Sequence, residues 1–156
     1  MTSTINELLS IINEYSKNFE AFSESEFAAK PNPAKWSKKE VLGHLIDSAQ
    51  NNLRRFIVGQ YESAPPKITY DQDFWVKANG YQNLSKNDVI QLWKLINQNI
   101  ANVWKNMDPK NYSKQADTGK TVAELHTLEW LAADYNKHMK HHINQIIPGS
   151  FDVIYT

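Results

Sequence analysis

Apolar residues recur at three- and four-residue steps through four long segments of this 156-residue chain, and prolines follow each of them. That spacing is the period of a helix face buried on a core, and it leaves little room for any other fold class. The first segment, residues 3 to 22, carries Ile5, Leu8, Leu9, Ile12, Tyr15, Phe19 and Phe22, and Pro31 and Pro33 block its continuation. The second opens at WSKKE, where Ser37 and Glu40 have the spacing of a capping box, and continues through Val41, Leu42, Leu45, Ile46, Ala49, Leu53 and Phe56. The third opens at LSKND with Ser85 as cap, Asp88 three residues on, and Leu84 and Val89 placed as a hydrophobic staple. Its stripe is Leu92, Ile96, Ile100, Val103 and Met107, and Pro109 ends it. The fourth is expected to start at a Thr121–Glu124 capping box and to stop at Pro148-Gly149.

No stretch between these segments alternates in polarity as a strand would. The expectation is an all-α fold: a four-helix bundle forming one domain over residues 1–156, with a long crossover between helices two and three. That crossover, residues 59 to 83, contains Pro65-Pro66 and many aromatics. Connections of this length often cover a site, and Tyr70, Trp75 and Tyr81 are candidates to roof one. Packing alone would account for the same aromatics. The tail, SFDVIYT, is apolar enough to pack somewhere.

Composition removes several classes of function. Without cysteine there is no disulfide framework, no Cys nucleophile and no thiolate metal site. Acids interrupt the N-terminal segment every few residues, against a signal peptide, and no apolar run reaches membrane-spanning length. A soluble, cytoplasmic protein is expected. Seventeen basic and seventeen acidic side chains balance, which speaks against a nucleic-acid partner.

Three of the five histidines fall in DYNKHMKHHINQI, residues 134 to 146. With Tyr135 as reference and about 100° per residue, Leu128, Leu131, Ala132, Met139 and Ile146 lie within roughly 60° and define the inward stripe. His142 falls near its middle and His138 on its shoulder, whereas His141 is rotated by about 120° and His126 lies opposite. His138 and His142, at i and i+4, can grip one ion, although such a pair can equally be buried and hydrogen-bonded in a core. His141 and His126 are expected at the surface. On the second helix, His44 flanks the apolar stripe, and Ser48, Asn51 and Arg55 follow it as a polar ridge suited to lining a pocket. Arg55 is the candidate for an anionic group, and Arg54 points about 100° away. Asp134, one turn before His138, could fix that imidazole's tautomer or could be a plain surface acid; Asp47 is expected in solvent.

The two segments KWSKKEVLGHLIDSAQNNLRRF and WLAADYNKHMKHHINQI resemble the signature segments of the DinB-like superfamily, and the resemblance covers essentially the whole chain. It implies a metal-binding four-helix bundle in which His44, His138 and His142 hold a divalent ion, zinc or nickel. It also implies dimerisation in many members and, in some, transfer of a low-molecular-weight thiol to a small-molecule acceptor. Many members have no known activity. Three neutral imidazoles leave a fourth coordination position open, the form of a catalytic rather than a structural zinc site. Three classes of function are compatible with such a site. One is a metal-dependent thiol transferase, one a metal-dependent hydrolase of a small substrate, and one a non-catalytic metal-binding stress or interaction protein. The lack of a dedicated general base favours the first, and any sulfur must arrive with the substrate.

Overall fold

Side-chain caps set where the long helices begin. In the computed structural model, which describes residues 1–155, helix α1 (Thr2–Glu20) is followed by a short α2 (Glu24–Ala28), capped reciprocally by Ser23 and Glu26. Helix α3 (Lys38–Tyr61) opens on the expected box: the Ser37 hydroxyl accepts from the Glu40 N–H, and the Glu40 carboxylate accepts from the Ser37 N–H at 2.8 Å. The crossover carries α4 (Gln72–Asn79), and α5 (Lys86–Asn106) starts at Ser85, whose hydroxyl accepts from the Asp88 N–H. Strands β1 (Gln115–Asp117) and β2 (Leu125–Thr127) form a small antiparallel hairpin, and α6 (Leu128–Ile146) completes the bundle of α1, α3, α5 and α6. The fold is mostly helical, as expected from the periodicity. Among the described residues, no helix is long and apolar enough to cross a membrane. Thr156, the last residue of the expected domain span, lies outside the described residues.

Two expectations about the helices need correction. The last helix does not start at Thr121. Asp117 Oδ1 accepts from the backbone N–H groups of Gly119 and Glu124, both at 2.9 Å, so the amide that Thr121 would have capped is already used. The chain instead runs as β2, and the Thr127 hydroxyl caps α6 by accepting from the Trp130 N–H at 3.1 Å. Strands of three residues are too short to show alternation, which is why the sequence gives no sign of them. The stripe on α5 is also rotated. Leu92 is 43% exposed, while Val89, Ile90, Trp93, Asn97, Ile100, Ala101 and Trp104 face the core. The two indoles decide the phase, because burying so large an apolar side chain outweighs burying a leucine. Trp93 packs edge-on to Phe19 and Trp104 to Phe56. At the start of α3, the buried ammonium of Lys39 pairs with Glu24 and donates to the Leu84 carbonyl, joining α2, α3 and the start of α5.

Two contacts place the rest of the chain around the end of α3 and α6. Asp117 donates its N–H to the Pro66 carbonyl at 3.0 Å and accepts from the Ile68 N–H at 3.2 Å, fastening the crossover to the hairpin. The tail folds back along α6, held by two 2.9 Å hydrogen bonds between the Asn144 amide and the Phe151 backbone. Phe151 rests on Tyr15, and Tyr155 reaches the histidines.

Candidate metal centre

Helix α3 presents His44 and α6 presents His138 and His142, and one ring nitrogen of each lies within 4.8 Å of the other two. His44 is 1% exposed. Its Nε2 stands 3.4 Å from His138 Nε2. Two nitrogens held by one tetrahedral zinc at about 2.05 Å would be about 3.3 Å apart, so the spacing is that of ligands sharing an ion. The rings are turned 67–69° to one another, and the Trp36 indole covers His44 from the far side at 5.2 Å. No Cys, Asp or Glu joins the cluster among the described residues.

His142 is oriented by a residue that the helical wheel does not single out. Its Nδ1 lies 3.0 Å from Gln145 Oε1, and Gln145 Nε2 lies 3.3 Å from His141 Nε2. The amide therefore accepts from His142 Nδ1–H, donates to His141, and leaves His142 Nε2 as a lone pair aimed at the cluster. His141 is thus not a free surface side chain: it is half-buried, against Gln145 and the Tyr155 ring. Nor does His126 lie on the helix; it sits in β2, stacked on Trp130 at 3.9 Å.

Burial lowers the basicity of all three imidazoles. It pulls His44 down to about 3, with His142 adding to the effect. It also holds His138 well below its ordinary value, helped by the neighbouring histidines, and lowers His142, where Gln145 partly offsets it. All three are neutral at pH 7, the form that ligates metal. Three ordinary imidazoles would begin losing affinity near pH 6.5. Here a competitive chelator titration should find zinc affinity falling less between pH 7.5 and 6 than it would with three ordinary imidazoles. Stability of the metal-free chain follows the opposite state. Because the unfolded histidines take up protons near pH 6.5 and the folded ones do not, stability falls with acid, by about 1.4 kcal/mol per pH unit for His44. Asp47 opposes this, since its folded carboxyl is raised to about 6 by burial, against the hydrogen bonds from Tyr81 and Asn79. Its contribution is present at low pH and fades as pH rises from its unfolded value toward 6. Three groups against one leave acid as the destabilising direction.

A cavity of about 410 Å³ opens beside His138. Ser48, Arg55 and Tyr70 line it, as does Asp134. Other expected members lie elsewhere. The Asn51 amide donates to the Asp47 carbonyl at 2.9 Å, and Asn52, about 100° around the helix, takes its place in the wall. Trp75 packs against Tyr70 at 5.8 Å without reaching the cavity. Tyr81 is buried against α3, donating its hydroxyl to Asp47 at 2.6 Å. Asp47 is consequently buried in full rather than solvated. Asp134 accepts from the Tyr155 hydroxyl at 3.2 Å and makes no hydrogen bond to His138, which removes its expected tautomer-fixing role. Thr118, Glu124, His126 and Tyr155 complete walls that the sequence leaves unassigned. Glu124 and His126 come from the stretch where the sequence predicts helix, Thr118 from the hairpin just before it, and Tyr155 from the tail.

A helical bundle whose facing helices bring three imidazoles together defines a class of small proteins built round a candidate divalent-metal site. The sequence pattern of the DinB superfamily matches residues 8–146, and the chain belongs to that superfamily. No curated protein matches it. Among solved structures, YfiT from Bacillus subtilis, described as a probable metal-dependent hydrolase with an unusual four-helix bundle topology, aligns with a TM-score of 0.82 at 21% identity. The alignment covers 93% of this chain and 82% of YfiT. A mutant of a mycothiol-dependent maleylpyruvate isomerase aligns with a TM-score of 0.74 at 9% identity; 99% of this chain spans 62% of that one. A DinB-like protein from Bacillus subtilis aligns with a TM-score of 0.63 at 14% identity, covering 98% of this chain and 96% of that one. At these identities the likeness is one of fold.

Proposed function

We propose that the chain is a divalent-metal enzyme, loaded with zinc or nickel, that activates a low-molecular-weight thiol for transfer to an electrophilic small molecule. The observation that carries this is the convergence of three neutral imidazoles, spaced as ligands and without a fourth protein ligand among the described residues, one of which, His138, lines a polar cavity. An ion held there would supply Lewis acidity and keep a bound thiol as its thiolate. The chain's own part is to hold the lone pairs in place. Gln145 orients His142, Trp36 keeps water from one side of His44, and the cavity leaves space for a substrate at His138. The mycothiol dependence of one structural relative is in keeping with thiol chemistry. The cavity weighs against a purely structural centre sealed under aromatics.

A second reading, hydrolysis, draws on Asp134. Its carboxyl shares the cavity with His138, where it could take a proton from an attacking water. One pair of assays separates the two. In thiol transfer, the sulfur attacks the ring carbon of chlorodinitrobenzene, a C–S bond forms, chloride leaves and the thiol proton goes to solvent. The loaded protein is expected to accelerate this reaction, and His44→Ala to abolish the acceleration. Acceleration that survives His44→Ala would remove the metal-transferase reading. Turnover of p-nitrophenyl acetate without thiol, lost in Asp134→Asn, would favour the hydrolase.

A further inference from the structure

Arg55 is a buried cation without an ion-pair partner among the described residues, although the Asp134 carboxylate in the same cavity acts on it at longer range. The residue is 8% exposed, yet no carboxylate among the described residues stands within ion-pair distance of its guanidinium. Its Nε and one Nη2 hydrogen go to the Ile68 carbonyl, and one Nη1 hydrogen goes to Asn52 Oδ1 at 3.1 Å. A guanidinium has five N–H groups, so two remain without a protein acceptor. Leaving a buried charge unpaired costs several kcal/mol, and proteins normally supply a partner. Asp134 shares the cavity but stands beyond ion-pair distance, its Oδ2 accepting from the Tyr155 hydroxyl. Arg55 is also not remote from the chemistry, since it lines the same cavity as His138, with the Ser48 and Tyr70 hydroxyls beside it.

We propose that the Arg55 guanidinium docks a carboxylate of the small-molecule substrate, the missing ion-pair partner arriving with the ligand. This deepens the small-molecule reading above and rests on it. A carboxylate matches the planar fork of donors, which an ammonium would not provide. In the same walls Glu124 and Asp134 balance Arg55 and Lys137, which suits a single added negative charge better than the two of a phosphate. Helix geometry sets the length of the ligand. Arg55 follows His44 by eleven residues, a rise of about 16 Å, and the side chain leans back toward the helix N-terminus. The guanidinium then stands roughly 10 Å from the histidine cluster. The substrate is therefore an elongated acid with its metal-binding group at one end and its carboxylate at the other.

The test compares two thiols of equal length, mercaptohexanoate and mercaptohexanol, binding to the zinc-loaded full chain by calorimetry, with metal content measured on the same samples. The acid is expected to bind at least tenfold more tightly than the alcohol. Arg55→Gln should abolish that preference while the ion content stays unchanged, and Arg55→Lys should keep part of it. Equal affinity for the two thiols, including failure of both to bind, would overturn the proposal on the native protein alone, whatever the variants do to folding. A preference that persists in Arg55→Gln would overturn it as well. Failure of the metal reading is distinct: the native chain would then hold no ion.

Discussion

Elemental analysis of the purified protein should find about one divalent ion per chain, and His44→Ala or His138→Ala should reduce it to background. The expectation follows from the ligand count. With three protein ligands, removal of one leaves a two-point site, which in water cannot compete for a divalent ion at ordinary concentrations. His142→Ala should have the same effect. His141→Ala differs in kind, because His141 packs edge-on to the His142 ring at 5.0 Å and bonds Gln145, but offers no nitrogen to the convergent group. Losing an outer partner of this sort typically weakens metal affinity 10- to 100-fold without removing a ligand. The ion should therefore remain in His141→Ala at saturating metal but leave faster under a chelator, and Gln145→Ala should behave similarly. If His141→Ala strips the ion while His142→Ala retains it, the assignment of ligands on α6 is wrong.

Gly43→Ala should destabilise the fold more than most single-methyl additions, by about 3 kcal/mol or more, at the upper end of what overpacking usually costs. A Cβ at Gly43 would lie 2.1 Å from Tyr81 Cδ2 and 2.5 Å from Cε2. Contact that close cannot be absorbed by a small rotation, because the ring is fixed at its far end by the 2.6 Å bond to Asp47. Asp47 is in turn tied to Asn79, so the methyl must push the crossover off α3 or break a buried polar cluster. Gly43 directly precedes His44, and the displacement would reach the metal centre. Chemical denaturation of the metal-free protein measures the first effect, and metal content measures the second. The loss caused by Gly43→Ala should be smaller in a Tyr81→Ala background than in the native one, which would assign the clash to that ring.

Much of this was legible because helices announce themselves. The capping serines at 37 and 85 set helix starts to the residue, and the wheel on α6 separated His138 and His142 from His141. Legibility failed where a distant group took over a local one. Asp117 consumed the amide that Thr121 and Glu124 needed, and no local pattern reports that a carboxylate several residues upstream will fold over. The hairpin so formed supplies Glu124 and His126 to the cavity, so one wrong boundary hid a wall of the site. On α5 the wheel weighted Leu92 like any apolar residue, while the indoles of Trp93 and Trp104 decided the rotation. Asn51 and Asn52 are neighbours of the same type, and only the packed helix shows which one faces the cavity. Tyr155 was out of reach for a plainer reason: a short apolar tail carries no address for what it will cover.

The ligands also have a mechanical meaning. His44 and His138 are 94 residues apart in sequence, and they join two of the bundle's main helices in a chain that contains no cysteine. An ion between them would be a reversible cross-link. It would close a loop as long as those that long-range disulfides close, yet it could be withdrawn by a chelator or by a falling metal supply. Binding only the folded chain, it would add about 2.7 kcal/mol at a free-metal concentration one hundred times Kd. In that sense the metal available around the protein would set its lifetime as well as its chemistry.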